Sequence, residues 1–265
     1  MSGQRWGTAQ RPRTAVASLR VHDRMRAASG DRARKVAIIT GGSQGIGAGL
    51  VAAYRRRGWA VVATARTIAP SEDDDLLTVD GDISLPATAA RIVAQARARF
   101  GRVDTLINDA GVYISKAFID YTAEDYATVV GVNLTGFFAL TQLAIREMLE
   151  LGGGHVVNIT ATVAEYADSV APSVPVAMTK GGLASATKSL AIEYASRGIR
   201  VNAVSPGFVQ TPMHPSELYD MLAALTPLGR MGQISEVVDS ILFLEASPFI
   251  TGEILHVDGG RSAGR

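Results

Sequence analysis

The stretch "KVAIITGGSQGIGAGL", residues 35–50, decides how the rest of the chain is read. "KVAIIT" is a short apolar run bounded by glycines, the mark of a buried strand. The residues that follow, "GIGAGLVAAYRRRG" at 45–58, carry apolar side chains at helical spacing and end on a glycine stop. Strand, tight turn and helix therefore succeed one another between Lys35 and Gly58.

Working outward, the same alternation continues. Strand-like runs occur at "WAVVATA" (59–65), "LLTVD" (76–80), "VDTLIN" (103–108), "GHVVNIT" (154–160), "IRVNAVS" (199–205) and "EILHVD" (253–258). Between them the pattern predicts helices over "PATAARIVAQARARFG" (86–101) and near 122–150, 176–197 and 234–245, with an irregular stretch before the last of these. Seven nearly continuous apolar strands alternating with helices predict an α/β fold: a doubly wound (Rossmann) seven-stranded parallel sheet with helices on both faces. Right-handed crossovers place the ligand crevice beyond the carboxyl ends of the strands. No internal repeat interrupts residues 35–260, so 35–265 is expected to be a single domain.

Composition narrows the function classes. The 265 residues are 47% hydrophobic, with no cysteine and a net charge of +1. Without thiols, disulfides and cysteine-ligated zinc are excluded, which fits a reducing, cytoplasmic setting. The histidines His22, His155, His214 and His256 have no ligand spacing, so no metal is expected. No uninterrupted apolar run reaches the ~18 residues of a spanning helix, and no membrane partner is expected. Residues 1–34 hold eight arginines against Asp23 and Asp31 and lack the apolar core of a secretory signal. They read as a flexible Arg-rich N-terminal arm; without interleaved aromatics, no nucleic-acid partner is expected.

The turn "TGGSQGIG" (40–47) spaces its glycines as GxxxGxG, which is not the GxGxxG dinucleotide fingerprint. The physical logic is shared, since glycines allow close backbone approach and a helix start offers free N–H groups to a pyrophosphate. Together with "NDAG" (108–111, for NNAG), "VNLTG" (132–136), "SPGFVQTPM" (205–213) and "VDGG" (257–260), the turn resembles the short-chain dehydrogenase/reductase family, from about Lys35 to Gly260.

The resemblance implies a nicotinamide cofactor held by Gly41, Ser43, Gln44, Gly45, Ile46 and Gly47 of the turn, Asp82 and Ile83 at the adenine, and Asn108, Ala110 and Gly111. It further implies Lys180 at the ribose and Pro206, Gly207, Val209 and Thr211 around the carboxamide and pyrophosphate. Ala65 stands where NAD-preferring members usually carry an acid, and Arg66 follows; a guanidinium pairs with a 2′-phosphate, so NADP is favoured over NAD. For Asp82 alone, an Asx-turn is a competing reading.

Catalysis in the family couples hydride transfer to a proton relayed by the tyrosine and lysine of YxxxK, a serine and a helix asparagine. Lys180 matches the lysine and Asn133 the asparagine, but Val176 lies four residues before Lys180 and residues 172–179, "PSVPVAMT", hold no tyrosine. At the serine position stands Ala161, between Thr160 and Thr162. A positioned general acid contributes ~10²–10⁴-fold and an oxyanion donor about 10²–10³-fold, so unreplaced losses would cripple an ordinary carbonyl reductase. Tyr166 or Tyr113 could supply a relocated phenol, and Thr160 or Thr162 a hydroxyl.

Two readings follow. One is an NADP(H)-dependent oxidoreductase acting on a small carbonyl or alcohol with a displaced proton donor; the other is a catalytically inactive NADP-binding protein. By resemblance, a homodimer or homotetramer is expected, joined through the long helices and the small residues of "GGLASATKSLA".

Overall fold

A computed structural model describes residues 34–167 and 171–264; the reading of the N-terminal arm falls outside them, apart from Arg34. Seven strands are present: β1 (Val36–Thr40), β2 (Ala60–Ala65), β3 (Leu76–Asp80), β4 (Thr105–Asn108), β5 (Gly154–Ile159), β6 (Ile199–Pro206) and β7 (Ile254–Val257). They form one sheet in the order β3-β2-β1-β4-β5-β6-β7, every pairing parallel. Strand order reverses between β1 and β4, which opens a crevice at their carboxyl ends.

Side-chain alternation along each strand divides the apolar residues between two cores. Val36 and Ile38 of β1 join Val62, Val156 and Val201 under α2 (Pro86–Phe100) and α4 (Phe137–Leu151). Ala37 and Ile39 join Val61, Val157 and Val204 on the other face, under α1 (Gly45–Arg56) and α7 (Ile234–Ala246). The remaining helices are α3 (Ala123–Val130), α5 (Val174–Tyr194), which continues as a 3₁₀ turn to Arg197, and the short α6 (Tyr219–Ala224). That last helix lies inside the stretch expected to be irregular.

The single helix expected near 122–150 is α3 and α4 joined through a π-helical segment, Gly131–Gly136. Thr122 and Asp125 start it with a reciprocal capping box. By length and mean hydropathy, Ala123–Leu151 could cross a membrane, although no uninterrupted apolar run does so. Its Leu140, Ala144, Ile145 and Met148 are instead buried against the sheet, as in a core helix.

At the amino ends of the strands, opposite the crevice, a half-buried carboxylate gathers the frame. Glu245 of α7 accepts hydrogen bonds from Tyr54 of α1 (3.1 Å), Thr105 of β4 (3.0 Å) and His155 Nδ1 of β5 (3.1 Å). His155 Nε2 faces the Asn202 amide of β6 at 3.1 Å. Glu245→Ala leaves three buried donors without an acceptor. It is expected to cost about 2–4 kcal/mol, read as a lower urea midpoint at unchanged slope.

Candidate active site

The crevice has a volume of about 900 Å³. Its floor is built where β1 and β4 end. The Thr40 hydroxyl donates to Ile107 O (3.4 Å) and accepts the main-chain N–H groups of Asp109 and Ala110, both at 2.9 Å. The turn after Thr40 doubles back through Gly41 (φ +72°) and Gly45 (φ +57°), conformations that glycine adopts without penalty. A side chain at Gly47 would run into the Gly41 carbonyl. Thr211 stands against Gly45, 3.7 Å from where a β-carbon would sit.

Most residues expected at the cofactor line this crevice: Gly41, Ser43, Gln44, Gly45 and Ile46 on the turn, then Arg66, Asp82 and Ile83, then Ala110 and Gly111. Lys180, Pro206, Gly207, Val209 and Thr211 line it too. Two do not. Gly47 is buried beneath the turn, and its N–H is taken by the Asp109 carboxyl. Asn108 is buried and turned into the sheet, its amide donating to Thr141 Oγ1 (3.0 Å) and Asn158 Oδ1 (2.9 Å). Asn108 fastens β4 to β5 and α4 rather than facing a ligand. Arg66 is exposed at the end of β2 and makes no hydrogen bond or ion pair among the described residues. Asp82 forms the Asx-turn, accepting Ser84 N–H at 2.9 Å, while still bordering the crevice.

On α5, Val176 and Lys180 lie one turn apart and both border the crevice, Val176 only 1% exposed. The Lys180 ammonium donates to Ile159 O at 2.6 Å. Burial pulls its pKa down to about 8, against the attraction of Asp109. Thr160, Ala161 and Thr162 border the crevice beside them. The Thr160 hydroxyl is committed to Val204 O (3.1 Å), and Thr162 opens a 3₁₀ turn whose first carbonyl accepts Tyr166 N–H at 2.8 Å.

Asn133 sits in the π-helical segment, behind the crevice wall. Its Oδ1 accepts Val112 N–H (2.9 Å), and its Nδ2 donates to Val112 O (3.1 Å) and Thr179 Oγ1 (3.2 Å). With Lys180 it borders a small cavity of about 10 Å³ that is separate from the main crevice. An asparagine is poorly suited to a regular helix, and here it serves an irregular one.

The outer half of the crevice is largely apolar. Phe208, Met221, Leu222 and Leu225 line it together with Tyr113, Tyr166, His214 and Arg261. The Arg261 guanidinium lies 4.2 Å from the Phe208 ring centroid and 5.5 Å from that of Tyr166, and donates to Leu225 O at 3.2 Å. Tyr113 OH donates to Ala171 O at 3.4 Å. Both candidate phenols thus face the chamber that also holds Val176 and Lys180. His214 sets its ring edge-on to Phe208, and burial pushes its pKa below the usual value.

Beyond the apolar outer lining and Arg261, a charged residue under the turn escaped the sequence reading. Asp109 lies under the glycine turn, one carboxyl oxygen 2.9 and 2.8 Å from the positions of β-carbons on Gly41 and Gly47. Burial raises its pKa to about 7, against the pull of Lys180 and the Gly47 N–H. The available signal was the acid in "NDAG", where the family pattern carries a second asparagine.

Residues 41–262 match the protein family described as enoyl-(acyl carrier protein) reductase. Carbonyl reductase family member 4 of Xenopus tropicalis is 36% identical over 231 residues, covering 85% of this chain and 97% of that one. The 3-oxoacyl-[acyl-carrier-protein] reductase FabG of Escherichia coli K12 is 33% identical over 237 residues, covering 85% and 96%. Among solved structures, ElxO with NADP bound superposes with a TM-score of 0.81 at 26% identity, covering 87% of this chain and all of that one. The parallel sheet, the glycine turn at its switch point and these matches lead to one conclusion: the chain belongs to the short-chain dehydrogenase/reductase family.

Proposed function

We propose that this oxidoreductase works with NADP(H) on a small carbonyl or alcohol substrate, its proton donor displaced from the position held by Val176. The observation that carries the cofactor choice is Arg66. It is an exposed cation without a partner among the described residues, bordering the same crevice as the glycine turn. A 2′-phosphate in the mouth of that crevice would meet a guanidinium suited to bidentate pairing. NADPH, when bound, supplies the hydride; this chain's residues orient the dinucleotide, exclude water and handle the proton.

Lys180 holds the ribose hydroxyls, fixed by its bond to Ile159 O. The apolar outer half, with Phe208 and Leu222, takes the body of the substrate and sheds water around the reacting carbon. For the proton, Tyr166 is the leading candidate. It borders the chamber together with Ala161 and Val176, and its ring is held by the Arg261 guanidinium 5.5 Å from the ring centroid. Tyr113 is tied to Ala171 O and lies further toward solvent, 41% exposed. The hydroxyl to steady the substrate oxygen falls to Thr162, since Thr160 is engaged with Val204.

A second reading has its own support: neither Val176 nor Ala161 carries an exchangeable proton, while the residues facing the cofactor are largely in place. In that case the chain binds NADP(H) without turning it over. With either reading we propose a cytoplasmic homodimer or homotetramer. Exposed apolar side chains on α3, α4 and α5, among them Tyr126, Phe138 and Met178, support the assembly.

Arg66→Ala is expected to weaken NADPH binding about 10–100-fold while leaving NADH within about twofold, measured by fluorescence titration. Val176→Tyr combined with Ala161→Ser is expected to raise ketone reduction about 100-fold or more, by restoring a general acid and an oxyanion donor. Tyr166→Phe in the natural background is expected to abolish any turnover. Full turnover in that variant would move the proton donor elsewhere.

A further inference from the structure

The Asp109 carboxyl is placed where a negative charge is least welcome to a dinucleotide. The glycine turn opens a helix and can offer main-chain N–H groups to a pyrophosphate, and one Asp109 oxygen sits directly beneath it, against both Gly41 and Gly47. It already occupies the Gly47 N–H at the start of α1. The surroundings of Asp109 are limited. From β1 comes the uncharged Thr40 hydroxyl, which receives the Asp109 main-chain N–H. The start of α1 contributes the Gly47 N–H, and α5 contributes Lys180, whose Nζ lies 3.3 Å from the β-carbon position of Gly111. Among the described residues, no other charged side chain acts on Asp109, and none but Asp109 acts on Lys180. Lys180 is therefore the one cation acting on the carboxyl below the turn, and it borders the crevice in which a dinucleotide would lie.

We propose that Asp109 is a proton-accepting residue of the cofactor cradle. Bringing the pyrophosphate of NADP(H) onto the Gly41–Gly47 turn drives a proton from solvent onto the Asp109 carboxyl and leaves the Lys180 charge to the dinucleotide. The inference rests on the cofactor reading above. The step balances as one proton taken up per cofactor bound, with no bond made or broken in the dinucleotide. The sign follows from linkage: a carboxyl titrating at about 7 in the free protein is largely ionised at pH 8, and a nearby anion raises its pKa further, so binding there consumes a proton. At pH 6 the carboxyl is already about nine-tenths protonated, so binding consumes only about a tenth of a proton at this site. Asp109 acts here as a positioning residue, since it reaches the phosphates only through the turn.

The test is NADPH binding to the intact protein at pH 6 and pH 8, followed by calorimetry in buffers of different ionisation heat and by infrared difference spectroscopy. At pH 8 the natural protein is expected to take up a proton and to show the C=O stretch of a newly protonated carboxyl. At pH 6 that band falls to about a tenth of its pH 8 size and the affinity is about tenfold higher, the ratio set by titration near 7. Lys180 can add to the proton count at pH 8 but not to a carboxyl band, which keeps the two groups apart. Asp109→Asn, nearly isosteric, is expected to bind NADPH with no carboxyl band at either pH. Binding at pH 8 without a new carboxyl band in the natural protein overturns the inference, as does a band that survives in Asp109→Asn, while the cofactor reading stands in both cases. Failure of the natural protein to bind NADPH at either pH removes the cofactor reading, and this inference with it.

Discussion

One hydroxyl holds the business end of this protein together. Thr40 ends β1, donates to Ile107 O in β4 and receives two consecutive N–H groups, from Asp109 and Ala110. Strand order reverses between these two parallel strands, so no single crossover helix spans the join. Both loops that form the crevice floor leave from this point. The hydroxyl is buried, and all three of its bonds are made within the protein. Everything placed on that floor inherits its position from this contact, from the glycine turn to Asp109 below it and Lys180 opposite.

Much of the architecture could be read in advance because it depends on patterns with a definite period. The seven strands were visible as apolar runs, and burial on both faces explains why they are continuous rather than alternating: β1 is buried at every residue from Val36 to Thr40. The helix ends were visible in Gly101 and Gly152, which take the left-handed conformation where a helix stops. The π-helical segment left no such trace, because α3 and α4 each keep the ordinary helical period and a change of phase between them alters the period of neither. What pointed to it was chemical rather than periodic: an asparagine in mid-helix whose side chain had to find main-chain partners, as Asn133 does with Val112.

The site was legible by position and less so by direction. A motif fixes which residues stand near a crevice, while the strand period of two decides which side chains face it. Asn108 and Asp109 are neighbours in the same motif, yet the first turns inward to Thr141 and Asn158 and the second toward the glycine turn. Gly47 was misplaced for a related reason. Its lack of a side chain serves contact with Gly41 and Asp109 below the turn, and a ligand above is not needed to explain it. Asp82 shows the converse, satisfying a local turn and bordering the crevice at once.

The π-helical segment also has a bearing on how this chain can vary in length. Successive residues of a regular helix are rotated by about 100° about its axis, so a segment with one residue in excess works as a phase shifter between α3 and α4. Upstream, Gly131 passes close to Ser84; downstream, Gly136 packs directly on the Ile83 main chain, 2.9 Å from where a β-carbon would be. Removing any one residue between them would return an unbroken α-helix of perfectly good local geometry. It would also swing either Asn133 off Val112 or the Leu140 and Met148 stripe off the sheet. A one-residue insertion or deletion within these six positions therefore changes the facing of a whole helix rather than the length of a loop.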